Sequence, residues 1–206
     1  MGRKITCTCR PGGLKMIIFF DTETNGLPKR WKASMREVDN WPRVIQLAWQ
    51  VCTNNGEVLS EMKRLIRPDG WAIPKDKFWI DNGYSTEVNQ KEGAPMIDML
   101  KSFISDYEGC DHLVAHNIAF DHPVLGAEMI RYNVSSTVKL NKICTMQSSI
   151  DLCKLPGNYG YKFPKLIELH QHLFSEGFDG AHDAMADVNA CRRCFFELMK
   201  HGLIKL

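Results

Sequence analysis

Two carboxylates, Asp21 and Glu23, follow directly on the unbroken apolar run Met16-Ile17-Ile18-Phe19-Phe20. Side chains two apart on an extended strand share a face, so both acids point to one side, and like charges so placed need a cation. Asp-x-Glu alone is common on solvent faces. Here a buried strand delivers it into turn chemistry, Thr24 to Pro28. A second candidate is Asn117 with Asp121, where the apolar run His112 to Ala115 passes through a polar turn into a helical pattern. Strand-end to helix-start junctions are where open α/β sheets hold ligands, although an aspartate in a first helical turn can also serve only the helix dipole.

The third candidate is Asp187. It repeats with Cys191, Cys194 and Leu198 at spacings of four, three and four, which puts it on the stripe that faces the protein. A carboxylate so placed has to be paired or to bind metal. His182 lies five residues earlier, in the loop or first turn before that helix, free to swing over the same place.

The elements that position these residues follow from hydrophobic period. Residues 16–20 read as a central strand buried on both faces. Arg43 to Val51 gives a second strand, and Asn54-Asn55-Gly56 a hairpin turn into a third, roughly Val58 to Ile66, stopped by Pro68. Residues 67 to 93 show no clean period and are expected to be irregular or short helix. Helices are expected over Ala94 to Tyr107, Phe120 to Tyr132, Phe163 to Phe174 and Ala184 to Lys200, with short strands at His112 to Ala115 and Lys142 to Met146. Three sequential strands followed by alternating helices and strands imply a mixed sheet with helices packed on it.

The 206 residues suffice for one domain with its own core. At 44% hydrophobic and 24% charged, the composition is that of an ordinary globular protein. No apolar run approaches the roughly 18 residues that span a bilayer, and the basic start lacks the apolar core of a secretory signal. A cytoplasmic protein with no membrane partner is expected, with residues 1–14 as a flexible tail and 15–206 as the domain. The eight cysteines are too scattered for a disulfide scaffold and read as thiols. Cys7-x-Cys9 and Cys191-x-x-Cys194 raise zinc, but the second pair fits better as small buried hydrophobes. The net charge of +2 names no partner. Locally, Lys29, Arg30, Lys32, Arg36 and Arg43 surround Trp31 and Trp41, which suits either nucleic-acid contact by charge and stacking or a solvated basic loop.

The segments FFDTETNGL, HNIAFD and HDAMAD together resemble the three exonuclease motifs of the DEDD superfamily, in its histidine-bearing (DEDDh) branch. That branch includes the proofreading exonuclease subunit of bacterial replicative polymerases, epsilon of DNA polymerase III, and ribonuclease T. The tyrosine branch is excluded, because Asp183 stands where its tyrosine would. The resemblance implies a ribonuclease-H-like α/β fold with a mixed five-stranded sheet flanked by helices. It implies a 3′-to-5′ exonuclease that releases nucleoside 5′-monophosphates from single-stranded or frayed 3′ ends. DNA is the first choice of substrate, in proofreading with a possible DNA polymerase partner. The alternatives are an exoribonuclease of the same fold and a catalytically silent nucleic-acid-binding module.

By motif match, Asp21, Glu23, Asp121 and Asp187 would hold two divalent ions. Asp21 would bridge them, Glu23 and Asp187 would complete one site, and Asp121 would support the other. His182 would be the general base, and Thr22, Thr24, Gly26, Leu27 and Asn117 would hold the terminal nucleotide, with Leu27 as an apolar wedge. Such hard oxygen ligands favour Mg²⁺ or Mn²⁺ over zinc, and two ions roughly 3.5–4 Å apart suit in-line displacement at phosphorus. The neutral imidazole is suited to accepting a proton. Two departures bear on substrate contact: the loop Pro28 to Pro42 is longer and more basic than in compact members, and Asp81 to Glu87 lacks the histidine often found there.

Overall fold

The computed structural model describes residues 14–206. Nearly all of the expected tail, and the Cys7-x-Cys9 pair with it, lies outside the described residues.

The first strand, β1, runs Met16–Thr24, followed after a 3-10 turn at Val38–Asn40 by β2 (Val44–Thr53) and β3 (Val58–Leu65). The stretch without a clean period forms two short helices, α1 (Lys77–Asp81) and α2 (Thr86–Glu92). Then come α3 (Met96–Tyr107), β4 (His112–Ala115), α4 (Ile118–Arg131) and β5 (Asn141–Cys144). Two single turns, α5 (Thr145–Ser148) and α6 (Ile150–Cys153), and a two-residue ribbon of β6 (Pro156–Gly157) with β7 (Gly160–Tyr161) lead to α7 (Leu166–Phe174) and α8 (Ala184–Lys200).

The main sheet has the order β3-β2-β1-β4-β5. The hairpin pairs are antiparallel, whereas β1–β4 and β4–β5 are parallel. The mixed five-stranded sheet expected from the chain is thus observed. Its central strand carries the acidic pair, as their shared face requires, and continues to Thr24, the first residue of the expected turn. The register explains why, because β2 keeps pairing, placing Asp21 opposite Ala48 and Glu23 opposite Gln46. Strand geometry therefore extends into the acidic site and fixes both carboxylates.

Alternation along β1 divides the core. Ile18 and Phe20 join Trp49, Leu100, Phe103 and Leu125 under α3 and α4. Ile17 and Phe19 join Val188, Cys191, Cys194, Phe195 and Leu198 of α8. Cys191 and Cys194 are buried apolar side chains, as their helical spacing suggests. Among the described residues no helix is long and apolar enough to cross a membrane.

The basic segment resolves into two classes. Trp41 is buried, and its indole N–H donates to the Ser34 carbonyl at 3.0 Å. Arg43 is locked by Glu128, donating from Nε at 2.8 Å, and it lies over the Trp71 ring. Trp41 belongs to the core, and Arg43 is half-buried beside it. Lys29, Arg30, Trp31, Lys32 and Arg36 stay exposed.

Candidate active site

Asp21, Thr22 and Glu23 of β1 meet Asn117 and Asp121 at the start of α4, and His182 and Asp187 around the start of α8, in one cleft of about 570 Å³. Its remaining walls include Phe120, Met146, Phe163 to Ile167 and Phe178. Thr24, Gly26 and Leu27 do not line it. The Thr24 hydroxyl donates to the Gly26 carbonyl at 2.8 Å, and Leu27 projects from the turn with 73% of its surface exposed.

Carboxylate oxygens of Asp21, Glu23 and Asp187 all lie within 4.8 Å of one another. The chain achieves this by bringing i and i+2 of one strand against the first turn of a helix more than 160 residues away. Asp121 approaches from α4, almost wholly buried at 3% exposure. Its Oδ1 accepts from both the Thr22 N–H (3.2 Å) and the Thr22 hydroxyl (2.7 Å). Thr22 lines the cleft but is itself buried, and its hydroxyl is committed to Asp121.

Electrostatics makes the site costly without a cation. Burial, then the neighbouring carboxylates Asp121, Asp187 and Glu23, hold Asp21 well above the ordinary aspartate range. Burial and the charges of Asp187 and Asp121 push Glu23 up to about 8. Burial raises Asp121 to about 7 against the two Thr22 donors, and raises Asp187 to about 6 against the His182 N–H. Like charges in a poorly solvated site favour the neutral form, and a divalent ion reverses that preference. An all-oxygen donor set fits hard cations such as Mg²⁺ or Mn²⁺, so the residues present fit the ions that the motifs imply.

His182 sits on the loop before α8, exposed, with its ring edge-to-face against Phe78 at 5.0 Å. Its backbone is left-handed at φ 72°, and Gly180 two residues earlier has φ 77°. Two such residues in quick succession turn the chain sharply into the helix. Asp183 caps the helix by accepting from the N–H groups of Met185 (3.1 Å) and Ala186 (3.2 Å), and Lys63 of β3 pairs with it at 2.6 Å. Burial opposes its charge, but Lys63 and the two N–H donors hold its carboxyl below the usual value.

Two supports of this loop were not singled out from the sequence. The Tyr84 hydroxyl donates to the His182 carbonyl at 2.7 Å and lies 3.1 Å from Gln46 Oε1. That Gln46 oxygen accepts the Ala184 N–H at 2.7 Å. Tyr84 belongs to the segment noted for lacking a histidine; it braces the His182 loop from behind. The signal available was a tyrosine beside Gly83, whose φ of 79° ends α1.

The opposite wall is held by His116. Pro164 O can only accept, so Nε2–H donates to it (3.0 Å), and Nδ1 accepts from the Thr145 hydroxyl (3.0 Å). Thr145 then takes its own hydrogen from the Cys191 thiol at 3.6 Å. Burial keeps His116 neutral, lowered to about 4. The chain Cys191, Thr145, His116, Pro164 places the segment Phe163 to Ile167 along the cleft, so that the helix expected from Phe163 starts only at Leu166.

The fold matches solved structures. The chain superposes on exonuclease I at TM-score 0.70 with 18% identity over 91% of its length. The chain has a ribonuclease-H-like fold. An E. coli exonuclease I complex with a dT13 oligonucleotide matches at TM-score 0.69 and 18% identity, covering 90% of this chain and 41% of that one. A product-bound exonuclease I structure matches at 0.70 and 15%, covering 92% and 45%. The ribonuclease-H-like unit described here thus spans about two fifths of the exonuclease I chains. No protein-family model and no curated protein sequence matches.

Proposed function

We propose that the chain is a 3′-to-5′ exonuclease dependent on divalent metal ions, releasing nucleoside 5′-monophosphates from single-stranded or frayed 3′ ends, with DNA as first substrate. The observation that carries this reading is the convergence of Asp21, Glu23, Asp121, Asp187 and His182, from three distant stretches of chain, on one cleft. The motif resemblance and the oligonucleotide-bound structures of exonuclease I with the same fold support it. A proofreading role beside a polymerase follows the motif resemblance alone.

Asp21, Glu23 and Asp187 would hold one Mg²⁺ or Mn²⁺ ion, and Asp21 with Asp121 a second. Bound there, the ions supply positive charge to the attacking and leaving oxygens at phosphorus. His182, on the exposed loop over Asp187, accepts the proton of the attacking water at its ring nitrogen. Tyr84 and Asp187 hold the backbone of that loop from both sides. Thr22 keeps Asp121 aimed inward. Phe120 and Phe163 offer apolar walls to the terminal nucleoside, and Lys165 adds a cation at the rim.

Digestion of 5′-labelled single-stranded DNA, matched RNA and mismatched duplex with Mg²⁺, against a chelator control, tests the proposal. The expected result is a metal-dependent ladder shortening from the 3′ end with 5′-mononucleotides released. Internal cleavage, or binding without hydrolysis in Mg²⁺ and Mn²⁺ alike, would overturn it.

A further inference from the structure

The loop between β1 and β2 carries an exposed indole and is nevertheless firmly built. Buried Asn40 accepts the Arg30 N–H at 2.8 Å and donates to the Arg30 carbonyl at 3.0 Å, fixing the backbone immediately before Trp31 with two bonds. The Arg131 guanidinium of α4 reaches the carbonyls of Val38 and Trp41, the latter at 2.7 Å. Trp41 is folded inward against Ser34. Backbone so restrained could hide an indole, yet Trp31 keeps 56% of its surface exposed. Its ring leans on Phe120, centroids 5.9 Å apart and planes at 47°, and Phe120 is a wall of the acidic cleft. Trp31 is therefore the next aromatic surface outward from that wall.

Two of the charges beside it are also free to act. Arg30 is paired with Glu37, and Arg43 is committed to Glu128. Lys29 and Lys32 flank the indole, are exposed, and have no carboxylate partner among the described residues. An exposed π face on a restrained loop that also carries two unpaired lysines, one aromatic step from the cleft, is the chemistry of single-strand binding: stacking on a base with cations on the backbone phosphates.

We infer that Trp31, with Lys29 and Lys32, forms a second nucleotide subsite that stacks the base immediately 5′ of the terminal nucleotide and contacts its phosphate. The subsite rests on the exonuclease reading and deepens it. A stacked base must present its face, so the subsite takes an unpaired strand, and every base has such a face, so it is indifferent to sequence. The loop that is longer and more basic than in compact relatives of the motifs thereby gains a use: it extends grip along the strand without altering the chemical centre.

Two substrates separate the subsite from the chemistry: the p-nitrophenyl ester of thymidine 5′-monophosphate, which ends at the terminal nucleotide, and a single-stranded oligothymidylate, which extends to Trp31. Trp31→Ala is expected to lower the ratio of kcat/KM on the oligonucleotide to kcat/KM on the ester by roughly 5- to 150-fold, through KM, from what stacking one base contributes. Trp31→Phe should restore most of the ratio. Lys29→Gln with Lys32→Gln should flatten the log–log salt dependence of oligonucleotide binding by about 0.7 per lost phosphate contact. An active wild type whose ratio stays within about twofold in Trp31→Ala overturns the subsite alone. A wild type that hydrolyses neither substrate overturns the exonuclease reading and the subsite together.

Discussion

The backbone N–H of His182 donates to Oδ2 of Asp187 at 3.2 Å. In the proposed site one carboxylate would therefore face two tasks, ligating cation on one side and fixing the histidine loop on the other. Among the described residues Asp21 has no such second partner, and the charges that act on it are those of other carboxylates. Asp21→Asn and Asp187→Asn should both abolish turnover, but for different sums of reasons. In metal-free protein each substitution removes a repelling charge, so the melting temperature should hold or rise, and more for Asp21→Asn, which sacrifices no charged loop anchor. Thermal melts in chelator, run beside the activity assay, decide this; turnover near wild type in either variant rejects the acidic site as the catalytic centre.

The same repulsion sets a pH dependence. Unfolded carboxylates titrate near 4, whereas Asp187, Asp121 and Glu23 are raised to about 6, 7 and 8 in the fold. Between those limits the folded state binds more protons, so stability falls as pH rises. The contribution is complete below about 4 and is lost through about 6 to 8. Metal-free protein should melt progressively lower from about pH 5 to about pH 8.5, and Mg²⁺ should restore most of the loss at the alkaline end, since ions that bind only the folded state stabilise it. A melting temperature that stays flat across this range, or rises and ignores Mg²⁺, would show that the acids are not coupled as their geometry requires.

Tyr84 permits a sharper separation of positioning from structure. Tyr84→Phe deletes the hydrogen bond to the His182 carbonyl and leaves the buried ring in place. A hydrogen bond of this kind contributes about 1 kcal/mol, and a similar loss in the transition state lowers kcat about fivefold. The expected signature is a lower kcat with KM nearly unchanged. A lower melting temperature with unaltered kcat would reduce Tyr84 to a packing residue.

What was legible in the sequence was whatever depended on local period. The strand Met16 to Phe20, the helix Ala184–Lys200 and the inward placement of Cys191 and Cys194 follow from neighbours two, three or four residues away. The acidic residues were legible because their motifs carry them. Tyr84, Gln46 and the His116–Thr145–Cys191 chain were not, since their partners lie between 29 and 138 residues away in sequence and no period connects them. Arg43 and Trp41 misled for a related reason: a basic-aromatic stretch looks uniform in sequence, and only the approach of Glu128 and Ser34 separates its buried members from its exposed ones.

His182 carries two separable burdens. Its side chain is the proposed proton acceptor, worth roughly 10²- to 10⁴-fold in rate, so His182→Ala should lower kcat by that factor with KM little changed. Its backbone is left-handed at φ 72°, where a side chain costs about 1 kcal/mol or more and glycine costs none. His182→Gly should therefore be as inactive as His182→Ala and measurably more stable than it, because it keeps the turn and sheds the strain. The wild-type histidine tolerates that strain with the Tyr84 bond, the Asp187 bond and the Phe78 ring contact together holding the loop. Melting curves and single-turnover rates on both variants test the two burdens independently. If alanine and glycine variants melt alike, the loop relaxes without the ring; if either turns over normally, the proton acceptor lies elsewhere in the cleft.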